Sequence, residues 1–184
     1  MILGITGSFG AGKGEVVDYL VKTKGFTHYS ASGFIREEIV RRGMEVDRDS
    51  MAVVANDLRR EHGPSYVIDS LYERAKSNGG DAVIESLRAV AEVRRIKELG
   101  GFVFGVDALP EIRYERAFAR GSEKDKVSYD RWLEQEKAEM NPNDPTKQNI
   151  FGALAESSTV VDNNGSIEDL QKNVDIALAG VIKK

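Results

Sequence analysis

Two hydrophobic periods alternate along this chain. Met1–Ile5 (MILGI), Asp81–Glu85 (DAVIE) and Gly101–Asp107 (GFVFGVD) are apolar at nearly every position, the pattern of strands buried on both faces, and Phe26–Ser30 and Ser158–Asp162 read as two further strands. Between them apolar residues recur every three or four positions. Val16, Val17, Leu20 and Val21 predict a helix from about Lys13 to Gly25, and Phe34, Ile35, Ile39 and Val40 one that Ser32 can cap and that runs to Gly43. Gly63-Pro64 separates a helix at Arg48–His62 from another that follows it (SYVIDSLYERAKS). A helix Ala89–Leu99 follows the third strand, one opened by Pro110 runs to about Arg120, and a charged one covers Tyr129–Met140. Gly121–Lys126 reads as a polar loop, Asp144 and Pro145 suit a cap and a first helical position, and Ser166-x-x-Asp169 is a capping box for Ile167–Ile182.

Strands alternating with helices predict an α/β fold in three layers, a five-stranded parallel sheet with helices on both faces. No repeat or shift of composition divides the 184 residues, so a single domain over 1–184 is expected.

The stretch between the first strand and first helix carries the chemistry. Gly7, Gly10, Gly12 and Gly14 fall within eight residues, Gly7-Ser8-Phe9-Gly10-Ala11-Gly12-Lys13-Gly14, and Lys13 stands where the helical pattern begins. Glycines let the backbone approach a ligand closely, so that successive N–H groups line a nest around phosphate oxygens. The helix start adds its positive dipole end, and the ammonium reaches the β- and γ-phosphates. Gly7 and Gly12-Lys13 fit G-x-x-x-x-G-K-[ST], but Gly14 lacks the hydroxyl that usually meets Mg²⁺.

Composition narrows the rest. With 26 Lys+Arg against 30 Asp+Glu the net charge is −4, which implies no general affinity for nucleic acid or membrane. There is no cysteine, which excludes disulfides and thiol chemistry, and His28 and His62 are too few and too scattered for a zinc site. No run approaches the roughly 20 apolar residues of a membrane span, and no basic-then-apolar signal opens the chain, so a soluble cytoplasmic protein is expected.

The G-x-G-K-G sequence resembles the phosphate loop of adenylate kinase and related nucleoside monophosphate kinases, where a glycine follows the lysine. Those enzymes continue with Thr; this chain has Glu15, which places a carboxylate near phosphates. Ser30-Ala-Ser-Gly-Phe-Ile-Arg36 resembles the segment that holds the acceptor nucleotide in that family, matching at Ser30 and Arg36 but with Gly33 in place of Asp. Glu85-Ser-Leu-Arg88 resembles D-G-x-x-R, whose acidic residue orders Mg²⁺ waters and whose arginine grips the acceptor phosphate. Arg113, Arg116 and Arg120 lie on one helix face; Arg116 and Arg120 match the R-x-x-x-R pair at the hinge of a lid over the triphosphate, and Arg131 would be a further lid arginine. The other reading of the triple is a solvated basic stripe pairing with Glu115 and Glu123.

Asn163-Asn164-Gly165 falls where this family and the dephospho-CoA kinases pass backbone under the adenine; it is equally an ordinary turn. Ser157, Ser158 and Asp144–Asn149 offer no chemical reason to be assigned to the site, and Trp132 with Tyr129 reads as packing for the lid helix.

The resemblance implies MgATP as donor, Glu85 touching the metal through water, acceptor-binding helices at about 31–77 and a lid at about 120–140. It also implies a small nucleotide substrate, with a monomer or homodimer as the working unit. An alcohol acceptor usually needs a carboxylate to take its proton, whereas a phosphate acceptor needs its repulsion from ATP cancelled. Arginines after three strands and no Asp after the second favour a monophosphate. The alternatives are a dephospho-CoA kinase-like enzyme with Glu85 as base, and a nucleotide-binding regulator that transfers nothing.

Overall fold

A computed structural model describes residues 1–120, 127–138 and 149–182. The strands are β1 (Ile2–Gly7), β2 (Thr27–Ser30), β3 (Ala82–Leu87), β4 (Phe102–Asp107) and β5 (Thr159–Asp162), joined in one parallel sheet of order β2-β3-β1-β4-β5. The helices are α1 (Lys13–Lys24), α2 (Ala31–Arg41), α3 (Arg48–His62), α4 (Tyr66–Asn78), α5 (Val90–Glu98), α6 (Pro110–Ala119), α7 (Tyr129–Ala138), α8 (Ile150–Ala155) and α9 (Ile167–Ile182).

Each central strand feeds two cores, because successive side chains point to opposite faces. Leu3, Ile5, Val83, Phe104 and Val106 face α1 and α9, meeting Val16, Leu20, Leu170 and Val174. Ile84, Leu87 and Val103 face the other way, towards Ile35, Ile39, Val54, Ile68, Leu71, Val93 and Ile96 of α2 to α5. This two-sided burial is why the strand segments lack an alternating pattern.

Four local expectations change. Ser30, not Ser32, caps α2: its hydroxyl accepts from the amide of Gly33 at 3.2 Å, with Ser32 alongside at 3.0 Å. The third strand runs two residues beyond Glu85, because β3 carries an extra residue: Ile84 pairs with Gly4 but Leu87 with Thr6. Ser86 there takes φ 72°, a left-handed conformation costly for a side-chain-bearing residue, and the buried Thr6 hydroxyl holds the bulge by donating to the Leu87 carbonyl at 2.9 Å.

Helix α8, capped by the Asn149 side chain on the amide of Gly152 at 2.9 Å, had no strong periodic signal, being six residues long. The stripe of arginines on α6 is not uniformly solvated, since Arg113 is buried. Gly121–Lys126, Glu123, Met140, Asp144 and Pro145 lie outside the described residues. The Ser166–Asp169 capping box forms as expected, each amide meeting the other's side chain at 3.2 Å.

Candidate active site

Every strand ends at the same edge of the sheet, and the candidate residues follow those ends, where ligands of such sheets bind. Gly7 to Gly12 join β1 to α1, and α1 begins with Gly12 at φ 89° and no side chain capping its first turn. Its first amides are therefore open to an anion. Glycine is required at Gly10, at φ 79°, where a Cβ would collide with the Arg113 carbonyl, and at Gly12, where it would collide with the Asn163 side chain.

Lys13 folds back over this loop, donating to the carbonyls of Gly7 at 2.8 Å and Ser8 at 2.9 Å. Its pKa falls from 10.5 to about 8, chiefly through burial and next through the positive charge of Arg88. Glu85 opposes the fall, and Arg120 and Arg113 add to it. Glu85, Arg88 and Arg120, from three further segments of the chain, thus each lie within electrostatic reach of Lys13. Ser8 and Ala11 are buried and Phe9 is exposed, as are Gly14 and Glu15 on the open side of α1, where a Cβ at Gly14 would meet nothing. A hydroxyl would fit there, so its absence is not imposed by space.

On the β2–β3 side, Ser30 Oγ donates to Glu85 Oε1 at 2.9 Å, and His28 Nε2 stands 3.6 Å from the same oxygen. Sequence reasoning gave His28 no place in the site; its spacing of two from Ser30 on one strand face was the available signal. Arg36 is exposed on α2, about 1.7 turns beyond Ser30. Arg88 is exposed just past β3, on a turn clamped from both sides. The buried Glu92 carboxylate accepts from the amides of Arg88 at 2.7 Å and Ala89 at 3.1 Å, and the amide of Asn149 donates to the Arg88 carbonyl at 2.9 Å. Burial pushes the Glu92 pKa up against those hydrogen bonds.

On the β4–β5 side the three arginines of α6 diverge. Arg113 is 3% exposed, donates to the carbonyls of Ala108 at 2.9 Å and Phe9 at 3.2 Å, and pairs with Glu136 of α7. Arg116 donates to the Asn163 carbonyl at 2.9 Å, and Arg120 lies over the Phe9 ring at 5.2 Å. Arg131 is exposed and pairs with Glu134 at 3.1 Å. Asn163 is buried, its side chain turned to the back of the phosphate loop, while Asn164 Oδ1 accepts from the amide of Leu109 at 2.7 Å. Ser157 and Ser158 precede β5 at the opposite edge and bond Leu154 and Val103 backbone at 2.6 and 3.0 Å. Trp132 is buried against Tyr114 and Tyr129.

Among the described residues no three His, Asp or Glu side chains gather as a metal site of their own. Among the described residues no helix is long and apolar enough to cross a membrane.

A sheet of this order with a glycine-rich loop and lysine after its central strand defines the P-loop kinase fold. The chain belongs to the AAA_18 family, an AAA domain matched over residues 3–141, and to the UPF0200 proteins, being 31% identical to one from Aeropyrum pernix across 93% of this chain and 88% of that one. Among solved structures it resembles TT1252 from Thermus thermophilus, with TM-score 0.63, 23% identity and 98% and 97% of the two chains covered. It also resembles shikimate kinase from Aquifex aeolicus, with TM-score 0.60, 17% identity and 99% and 98% covered.

Proposed function

We propose that this protein is an ATP-dependent phosphotransferase of the nucleoside monophosphate kinase type. The observation that carries the reading is the Lys13 ammonium folded over a loop whose helix-start amides are uncapped, with Glu85, Arg88 and Arg120 within its electrostatic reach. An oxygen of the acceptor phosphate attacks the γ-phosphorus of ATP, the bond from that phosphorus to the β–γ bridging oxygen breaks, and ADP leaves. The loop amides of Gly7 to Gly14 and the Lys13 ammonium hold the donor phosphates, and Glu15 faces solvent beside them. Arg36 and Arg88, with Ser30, hold the acceptor; Arg116 and Arg120 serve the donor side, and the backbone at Asn163 and Asn164 borders the adenine. Glu85 would hold magnesium through water, and the bound ion would supply charge neutralisation at the nucleotide phosphates. The unit is one domain, with acceptor helices at about 31–77 and a lid at about 120–140, acting in the cytoplasm as a monomer or homodimer.

A second reading has its own support. Glu85 already accepts a hydrogen bond from the Ser30 hydroxyl at 2.9 Å, a geometry that suits a base towards an alcohol, as in a dephospho-CoA kinase-like reaction. MgATP offered with a panel of nucleoside monophosphates and with dephospho-CoA, scored for ADP and phosphorylated product, separates the two. Turnover of a monophosphate is expected; turnover of dephospho-CoA alone would favour the base role, and ATP binding without transfer to any acceptor would make the protein a regulator.

A further inference from the structure

The phosphate loop carries an aromatic residue, Phe9, 42% exposed, at its third position. The ring is not idle. Its backbone carbonyl accepts from Arg113 at 3.2 Å, the ring lies tilted by 45° to that of Trp132 in α7 with centroids 6.5 Å apart, and its face lies under the Arg120 guanidinium at 5.2 Å. Arg113 in turn lies over the Trp132 ring at 5.1 Å. Phe9 is therefore clamped through its backbone and its Trp132 contact, and offers its remaining face to an arginine at the C-terminal end of α6.

We propose that Phe9 is a positioning residue for Arg120: it holds the guanidinium at the phosphate loop, so that the charge stands beside the reacting phosphates without first being gathered from solvent. This rests on the reading of Arg120 as a donor-side arginine. The physics suits the role. A guanidinium over an aromatic face is held by the ring quadrupole, strongly enough to bias a long flexible side chain and weakly enough to be exchanged for a phosphate oxygen. A phosphate contact is charge-assisted and stronger, so the arginine moves to the nucleotide when it binds and returns to the ring when it leaves. An aliphatic side chain would fill the space against Trp132 but supply no such face.

The test compares Phe9→Leu with Phe9→Tyr, using transfer from MgATP to whichever acceptor turns over, or hydrolysis of MgATP to ADP if none does. Phe9→Leu is expected to lower kcat by about 3- to 10-fold, with a smaller effect on the Kd for MgATP, and Phe9→Tyr to restore most of the loss. In an Arg120→Ala background the same Phe9→Leu change should cost nothing further. A readout independent of turnover is the Nε–H resonance of Arg120, identified by its disappearance in Arg120→Lys. The ring should shift it upfield in the free protein, and Phe9→Leu should remove that shift. Emission of Trp132, the chain's one tryptophan, reports whether α7 stays packed.

A resonance unmoved by Phe9→Leu, an additive double variant, or a Phe9→Tyr as impaired as Phe9→Leu would each overturn the inference and leave Phe9 as packing for α7. If Arg120→Ala turns over like the wild type, it is the donor-side reading of Arg120 that falls. If Arg120→Ala is impaired and Phe9→Leu is not, only the positioning role falls.

Discussion

The side-chain amide of Asn163 donates a 2.8 Å hydrogen bond to the carbonyl of Ala11, tying the loop after β5 to the phosphate loop after β1. Both residues are buried, and the Asn163 backbone is itself held, its amide donating to the Asp107 carbonyl at 2.9 Å and its carbonyl accepting from Arg116. The phosphate loop is thus braced by a segment 152 positions away.

Removing that brace should be felt in both stability and binding. Asn163→Ala leaves the Ala11 carbonyl buried without its partner, at a cost of about 1–3 kcal/mol. A lowered melting temperature together with weaker MgATP binding in a titration is expected; a variant that melts and binds like the wild type would mean the loop keeps its shape without the tie.

Lys13→Ala should lower transfer by about 10²–10⁴-fold, as loss of a preorganised charge contact does. Its pKa of about 8 also predicts a pH signature. The folded free protein loses this proton near pH 8 and the unfolded chain near 10.5, so the unfolded state holds more protons between those values. This group's contribution to stability therefore rises with pH across that window. Phosphate binding favours the ammonium, so ATP binding should take up a proton near pH 8 and weaken above it. Calorimetry in buffers of different ionisation enthalpy measures the uptake, which Lys13→Ala should abolish.

Glu85→Gln keeps the volume and the Ser30 contact but removes the charge. It should melt near the wild type and lose Mg²⁺-dependent nucleotide affinity. If it loses turnover only with an alcohol acceptor and keeps its full Mg²⁺ dependence, Glu85 is the base and the second reading gains.

Three of the candidate arginines, Arg36, Arg88 and Arg120, should divide in kinetics. Arg36→Ala and Arg88→Ala are expected to raise the acceptor KM or lower kcat while ATP binding measured alone stays close to wild type, because a guanidinium forks onto phosphate oxygens at the strand ends flanking the acceptor. Arg120→Ala should slow transfer with both substrates saturating, since its charge matters most as the phosphoryl group moves. Equal losses of ATP and acceptor binding in Arg36→Ala or Arg88→Ala would mean the strand ends do not divide donor from acceptor.

Much of this was legible along the chain because the signals are local. Apolar strands, helix periods, the Ser166–Asp169 box and the loop Gly7–Lys13 are each written within a few neighbouring residues, and a parallel sheet buried on both faces follows from them. What the sequence could not determine depends on residues far apart. The bulge at Glu85-Ser86 arises only where β3 registers against β1 and Thr6 reaches Leu87, and no local preference of serine foretells φ 72° there. Arg113, Arg116 and Arg120 share one helical spacing, yet tertiary packing sends them to Glu136, to the Asn163 carbonyl and to the Phe9 ring. The spacing shows that they share a face. Only the docking of α7, the loop after β5 and the phosphate loop against that face decides which charge is buried, which is braced and which lies over an aromatic ring.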